Sequence, residues 1–209
     1  MASTAPGTVG TETAGINMVA DPAPVAAGAF AGATFVLSLI NAGVIAAAVE
    51  PVALTLALFY GGMLQLLAGM WEFRNNRNTF GAVAFTGYGV FWISLWYLVT
   101  QVLSKGAIPA ADIPTAVGVF LLVWTIFTFY LWVATFRTNG VLVAIFSALL
   151  LTFILLTLGN WGGNPAITKI GGWTGIVTAI FAWYLAAALV INFTFKRAAV
   201  PLFPFAARS

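Results

Sequence analysis

The chain has 209 residues, of which 62% are hydrophobic and only 6% are charged. Soluble globular proteins are about 45–50% apolar and about 25% charged, so this composition excludes a soluble globular enzyme. A membrane-spanning helix needs about 20 mostly apolar residues, and the apolar content suffices for about six such helices in one domain.

The sequence contains neither Cys nor His. Their absence removes disulfides, thiol nucleophiles, Cys/His metal sites and imidazole acid–base chemistry, so we expect no metal, no cofactor and no enzymatic activity. The formal net charge is +3, but Lys and Arg occur singly or in pairs between apolar runs. Nucleic-acid binding requires clustered basic residues, and nucleic acid is therefore not an expected partner.

Residues 1–20 consist mainly of small and polar residues, with Glu12 as the only charge. They lack the basic start and compact apolar stretch of a signal peptide, and we predict a disordered tail. Asp21 and Pro22 then open the first apolar segment. Proline is tolerated in the first turn of a helix, and Asp21 is predicted to be its N-cap.

Six apolar segments follow, and each is long enough to cross a membrane. They cover residues 24–48, 51–71, 79–103, 114–136, 140–158 and 171–194. The strands of outer-membrane barrels alternate every second residue over about ten positions, a pattern that these segments lack. The predicted fold class is an all-α integral membrane protein, with a six-helix domain at 21–196 and a C-terminal tail at 197–209.

Basic residues are distributed unevenly between alternate loops. Two of them, Lys105 and Lys169, fall on one side of the predicted membrane domain. The other side holds Arg74, Arg77, Arg137, Lys196, Arg197 and Arg208. Cytoplasmic loops carry an excess of Lys and Arg, so both termini are predicted to be cytoplasmic.

The middle of every apolar segment lacks Asp, Glu, Lys and Arg. Proton pumps, voltage sensors and retinal proteins depend on charges within the membrane, so the pattern argues against these classes. The spans instead carry small residues that allow close helix packing. They also carry neutral polar residues: Asn41, Gln65, Thr86, Tyr88, Thr128, Ser147 and Thr178. Such side chains line a pathway or form interhelical hydrogen bonds worth roughly 0.6 kcal/mol, and periodicity does not separate the two roles.

Glu72 is an unusual acid, because it lies at the C-terminal end of the second segment. A carboxylate there faces the negative end of the helix dipole. We predict an ion pair with Arg74 or Arg77. The alternative is a role at the inner mouth of a pathway.

Several motifs together resemble the acetate uptake transporter family, also called the GPR1/FUN34/YaaH or succinate–acetate permease family. The resemblance covers about residues 21–195. It is carried by Asp21-Pro22-Ala23-Pro24, by Phe59-Tyr60-Gly61-Gly62-Met63-Leu64-Gln65 with Ala68-Gly69 and Glu72, by Asn78-Thr79-Phe80-Gly81, by Ala84-Phe85-Thr86-Gly87-Tyr88-Gly89-Val90-Phe91-Trp92, by Gly159-Asn160 and by Gly172-Trp173.

The resemblance implies a six-helix bundle around its own narrow pore, usually assembled as a homo-hexamer. It further implies proton-dependent passage of acetate and related small monocarboxylates, sometimes succinate. By motif, Phe30, Tyr88 and Leu149 match the hydrophobic constriction of the family.

The chain departs from the family signature at the pore entrance. Asp21 replaces the usual Asn, and Val25-Ala26-Ala27 replaces Leu-Gly-Leu. A carboxylate at this place repels anions when it is ionised, which leaves the charge of the preferred substrate open. Candidate pore-lining or entrance residues are Asp21, Asn41, Gln65, Glu72 and Thr86.

Alternative functions are a channel for urea or short amides, a membrane sensor or scaffold without transport, and a membrane enzyme.

Overall fold

The computed structural model describes residues 20–74 and 78–205. Within these ranges the secondary structure is helical, and six helices are long and apolar enough to cross a membrane. They are α1 (Ala23–Asn41), α2 (Ala47–Glu72), α3 (Thr79–Leu103), α4 (Ala110–Thr135), α5 (Gly140–Trp161) and α6 (Pro165–Phe195). The prediction of six helical spans is confirmed. The predicted tail at residues 1–20 lies almost entirely outside the described residues.

The helices form a ring in chain order. Consecutive helices lie side by side, and the ring closes where α6 packs along α1. The helices alternate in direction, so α1, α3 and α5 begin at the end of the bundle where α2, α4 and α6 finish. We call this end the terminal face, because the described chain starts and stops there.

Helix α6 begins earlier than residue 171, the start that the sequence predicts. Its true start is Pro165, where the Asn164 side chain accepts hydrogen bonds from the N–H groups of Ala166 and Ile167. The predicted loop contained Gly171 and Gly172, but both glycines are buried within the helix. A Cβ atom on Gly172 would lie 2.2 Å from the backbone nitrogen of Ala42. This glycine is therefore a contact between α1 and α6, and its presence does not indicate a loop.

Helix α2 is not a regular α-helix along its whole length. Its middle, Ala57–Leu64, is a π-helix, which holds one more residue per turn than an α-helix. The stretch contains Gly61 and Gly62, and a Cβ atom on Gly62 would lie 2.5 Å from the carbonyl oxygen of Ala57. Only glycine leaves room for this wide turn beside α3.

The chain turns sharply after α6. Lys196 adopts a left-handed conformation with φ of 51°, which ends the helix. Residues 197–205, which the sequence assigns to a tail, lie against the terminal face. Pro204 forms an isolated antiparallel bridge with Asn139, at the start of α5.

Candidate functional site

A cavity of about 250 Å³ opens at the terminal face of the bundle. Its walls come from the first turns of α1, α3 and α5, from the last turns of α2 and α6, and from the segment after α6. Most of the lining side chains are Ala, Leu, Ile and Phe. The site is therefore a mainly apolar pocket with a few polar groups, the composition typical of sites for small organic molecules.

Phe30, Tyr88 and Leu149 meet at the inner end of this cavity. Each is the lining residue farthest from the terminal face on its own helix, α1, α3 or α5. All three are buried, and the ring centroids of Phe30 and Tyr88 lie 5.4 Å apart. The structure thus brings the three predicted constriction residues together around one cavity.

The Tyr88 ring is held on two sides. Its hydroxyl oxygen lies 2.9 Å from Oγ1 of Thr128 on α4, at hydrogen-bonding distance. Its ring also packs perpendicular to the ring of Phe127, with a centroid distance of 5.1 Å. These contacts fix the aromatic ring at the inner end of the cavity and leave little freedom for a different rotamer.

Gln65 supplies a polar group at the same depth. It follows directly after the π-helical stretch of α2, its side chain is 1% exposed, and it lines the cavity. Its Oε1 atom accepts no hydrogen bond within the described parts of the chain. A buried amide oxygen in this state is costly, and a molecule in the cavity that donates a hydrogen bond would relieve the cost.

Glu72 lies nearer to the mouth and is 2% exposed. The Nδ2 group of Asn78 donates a hydrogen bond to its Oε1 atom. The Oδ1 atom of Asn78 accepts from the N–H of Gly81 at 3.0 Å, and so caps α3. Arg74 is exposed, and Arg77 lies outside the described residues. The ion pair between Glu72 and one of these arginines stays a prediction.

Asp21 is exposed at the mouth of the cavity. Its Oδ1 atom accepts a hydrogen bond of 2.9 Å from the N–H of Ala23, the first residue of α1. The residue at the N-cap position itself is Pro22. Asp21 therefore satisfies a free N–H of the first turn from one residue farther out than predicted.

Comparison with known proteins identifies the family. The sequence profile of the GPR1/FUN34/yaaH family matches residues 5–206.

The chain belongs to the GPR1/FUN34/yaaH family.

Some of its relatives carry names of transporters. The chain is 36% identical to the succinate-acetate/proton symporter SatP of Escherichia coli K12 over 190 residues, which cover 90% of this chain and 97% of that protein. It is also 36% identical to the ammonia transport outward protein 2 of Saccharomyces cerevisiae, over 94% of this chain and 70% of that protein. Several relatives are longer, and the chain spans 61 to 64% of their length.

The fold agrees with a solved structure of the family. The structure of the bacterial acetate channel SatP matches with a TM-score of 0.81 and 36% sequence identity. The match covers 88% of this chain and 99% of that chain. The six apolar helices and this likeness show that the protein is a multi-pass membrane protein.

Two polar residues that the sequence suggested for this GPR1/FUN34/yaaH protein do not line the cavity. Asn41 ends α1 on the side opposite the terminal face. The Thr86 hydroxyl donates to the carbonyl oxygen of Ala82, 2.6 Å away on its own helix. The backbone of Thr86 lies where a Cβ atom on Gly69 would clash, so α2 and α3 are in close contact at this position.

Sequence reasoning missed several residues of the site. Asn78 and Asn139 line the cavity while each caps a helix, and Leu202 reaches the cavity from the segment after α6. An Asn directly before an apolar run is typical of a helix start, so both N-caps could have been predicted from the sequence. The position of Leu202 depends on long-range contacts that no local pattern indicates.

Proposed function

We propose that this protein is a membrane channel or transporter for acetate and related small monocarboxylates, including succinate as a larger substrate. The observation that supports the proposal most directly is the cavity that ends at Phe30, Tyr88 and Leu149, in a chain of the same family and fold as an acetate channel. The family of this chain consists of transporters and channels, so no enzymatic role is proposed.

The chemistry of the cavity favours the neutral acid over the carboxylate anion. No Lys or Arg is among the described residues that line the cavity, while Asp21 and Glu72 contribute acidic groups near its mouth. A carboxylate that leaves water without a cation or several N–H donors loses much solvation energy. A protonated acid carries one O–H donor, which suits an acceptor such as Oε1 of Gln65. Movement of the acid together with its proton would make the flux depend on the proton concentration.

Flux into proteoliposomes tests the function. Labelled acetate uptake should exceed that of empty liposomes, and the excess should grow from pH 7 to pH 5. Simple carboxylic acids have pKa values of about 4, so the neutral fraction rises about tenfold for each pH unit in this range. Liposomes with an unrelated membrane protein control for leakage of the free acid. Flux equal to the controls from pH 5 to pH 7, with urea or ammonium passing instead, would contradict the proposal.

We also propose that the protein assembles as a homo-hexamer, in which each chain keeps its own pore. The outer faces of the helices expose large aromatic side chains such as Phe59, Phe129 and Trp173, which lipid or neighbouring copies must cover. Native mass spectrometry from a mild detergent should give a complex with six times the mass of one chain. A monomer as the largest species in several mild detergents and in lipid nanodiscs would refute the assembly.

A further inference from the structure

The segment after α6 lies at the mouth of the cavity and contributes Leu202 to its wall. We call residues 197–205 the strap. It begins at the left-handed turn of Lys196 at the end of α6 and finishes beside Thr138, whose carbonyl oxygen accepts a hydrogen bond of 3.4 Å from the N–H of Phe205. The strap therefore connects the end of α6 to the start of the neighbouring α5 at the terminal face.

The α6 end of the strap is held by two side chains. Asn192 donates from Nδ2 to the carbonyl oxygen of Val200 and accepts at Oδ1 from the N–H of the same residue, both at 2.8 Å. The Tyr184 hydroxyl donates to the carbonyl oxygen of Pro201 at 2.7 Å. The backbone on either side of the bond between Val200 and Pro201 is thus fixed just before Leu202.

The α5 end of the strap is held through the backbone. Phe203 has a φ of 54°, an uncommon conformation for a residue with a side chain, and its carbonyl oxygen accepts a hydrogen bond of 2.9 Å from the N–H of Gly140. A Cβ atom on Gly140 would lie 3.2 Å from Cβ of Phe203. Such a backbone conformation persists only when surrounding contacts stabilise it. The isolated bridge between Pro204 and Asn139 is a further contact of this kind.

Leu202 lies between the two hydrogen-bonded ends of the strap. It is partly buried, packs against the hydrophobic core and lines the cavity, together with Leu142 of α5 and Leu189 of α6. Asn192 and Tyr184, whose side chains hold the α6 end of the strap by hydrogen bonds, do not line the cavity. The hydrogen bonds of Asn192 and Tyr184 therefore act on the cavity only through the position of the Leu202 side chain.

We propose that Leu202 is a specificity-determining residue, which the strap holds at the mouth as a fixed size filter for solutes that enter from the terminal face. Asn192 is its positioning residue. That the solutes are small carboxylic acids depends on the proposed function, whereas the filter itself does not. An apolar side chain at this place narrows the mouth and offers no hydrogen bond to a large polar solute.

The rates at which a small and a bulky reagent label a single thiol inside the cavity measure how strongly Leu202 restricts entry by size. Ala84 lines the cavity one helical turn from Tyr88, and Ala84→Cys creates the only thiol in the chain. In purified protein, iodoacetamide serves as a small reagent and fluorescein maleimide as a bulky one. Leu202→Ala should raise the ratio of bulky to small labelling rates about tenfold, which corresponds to a barrier lower by about 1.4 kcal/mol.

The matched control lies in the same strap. Phe205 is exposed and does not line the cavity, so Phe205→Ala should leave the ratio unchanged. Asn192→Ala should raise the ratio as Leu202→Ala does, and Tyr184→Phe serves as a milder variant if the loss of Asn192 prevents folding. A ratio that stays at the parent value in Leu202→Ala overturns the filter, and so does a reporter thiol that neither reagent reaches in that variant.

A reversible crosslink between the strap and α5 tests whether the strap keeps its position while solutes pass. The Cβ separation of 3.2 Å at Gly140 and Phe203 is near the range of about 3.5–4.5 Å found in disulfides, so Gly140→Cys with Phe203→Cys should form one on oxidation. A fixed filter predicts equal acetate flux in the oxidised and reduced forms. Flux that stops on oxidation and returns on reduction overturns a fixed filter. If the wild-type protein carries no acetate, the proposed function fails, and the labelling ratio still decides the role of Leu202.

Discussion

At the scale of single residues, the proposed constriction combines one group from each of three helices. Phe30 and Leu149 offer only apolar surface, while the Tyr88 hydroxyl is engaged with Thr128. On the proposed function, an apolar ring of this kind would gate by excluding water, and Gln65 would supply the polar contact for a passing acid. The distribution places the barrier to passage and the polar contact on different side chains.

Replacing Phe30 or Leu149 by Ala should widen selectivity toward larger acids. We expect the ratio of succinate to acetate flux to rise in Phe30→Ala and Leu149→Ala, because each change enlarges the inner end of an existing cavity. Phe153→Ala is the matched control, since Phe153 is equally buried, packs on Phe91 and does not line the cavity. There we expect a loss of about 3–5 kcal/mol in stability and an unchanged ratio.

Flux with both acids, together with thermal melting, separates these outcomes. If Phe30→Ala lowers the melting temperature as much as Phe153→Ala and leaves the flux ratio unchanged, Phe30 is a packing residue and the gate lies elsewhere.

At the scale of the helices, glycines set how closely the backbones approach. Helix α6 packs against α1 at Gly172, and α2 packs against α3 at Gly69 and Gly89. At each of these glycines, an added Cβ atom would collide with backbone atoms of the partner helix. Backbone atoms cannot turn aside as a flexible side chain can. These contacts therefore fix the distances between helices that shape the cavity.

Gly172→Ala should destabilise the protein by about 1–3 kcal/mol or more, because its Cβ would lie 2.2 Å from the nitrogen of Ala42 and α1 must shift away. Gly28→Ala is the control within the same helix pair. There the nearest atom to an added Cβ is the Tyr60 hydroxyl oxygen at 3.5 Å, and the higher helix propensity of Ala favours folding. Thermal unfolding in detergent measures both, and equal melting temperatures for the two variants would show that α1 and α6 are not tightly coupled.

The sequence predicted the six helices correctly, since each span is a long apolar run with breakers beside it. It misplaced the start of α6, because Gly171 and Gly172 indicate a turn by local preference and serve tertiary packing instead. Phe30, Tyr88 and Leu149 were placed by resemblance to a family. The physics of the residues alone did not distinguish them from other buried apolar side chains. Leu202 stayed hidden because its position depends on Asn192 and Gly140, which are distant from one another in the chain.

At the scale of the whole molecule, charge is segregated between the two ends. Arg74, Arg137 and Lys196 follow α2, α4 and α6 at the terminal face, whereas Lys105 follows α3 at the other end. The cavity opens on the basic end, and its inner end lies at Phe30, Tyr88 and Leu149. If the basic end is cytoplasmic, as the distribution of Lys and Arg predicts, the strap and its filter face the cell interior.

Cysteine labelling in intact cells tests this orientation on a background without native Cys. Lys105→Cys should react with an impermeant maleimide, and Ser209→Cys should react only after the cells are opened. The reverse pattern would mean that the cavity opens to the outside. Labelling after permeabilisation controls for the presence of both variants.

The π-helical stretch of α2 determines where in this helix a change of length is tolerated. A π-helical turn accommodates one additional residue, so one residue removed from Ala57–Leu64 would narrow the wide turn and leave the following residues facing nearly the same way. One residue removed from the α-helical part Glu50–Leu56 would instead rotate everything after it by about 100° about the helix axis. Gln65 and Glu72 would then point away from the cavity, although no side chain had been substituted. The cavity lining contributed by α2 is therefore more sensitive to a deletion before the π-helical stretch than to one within it.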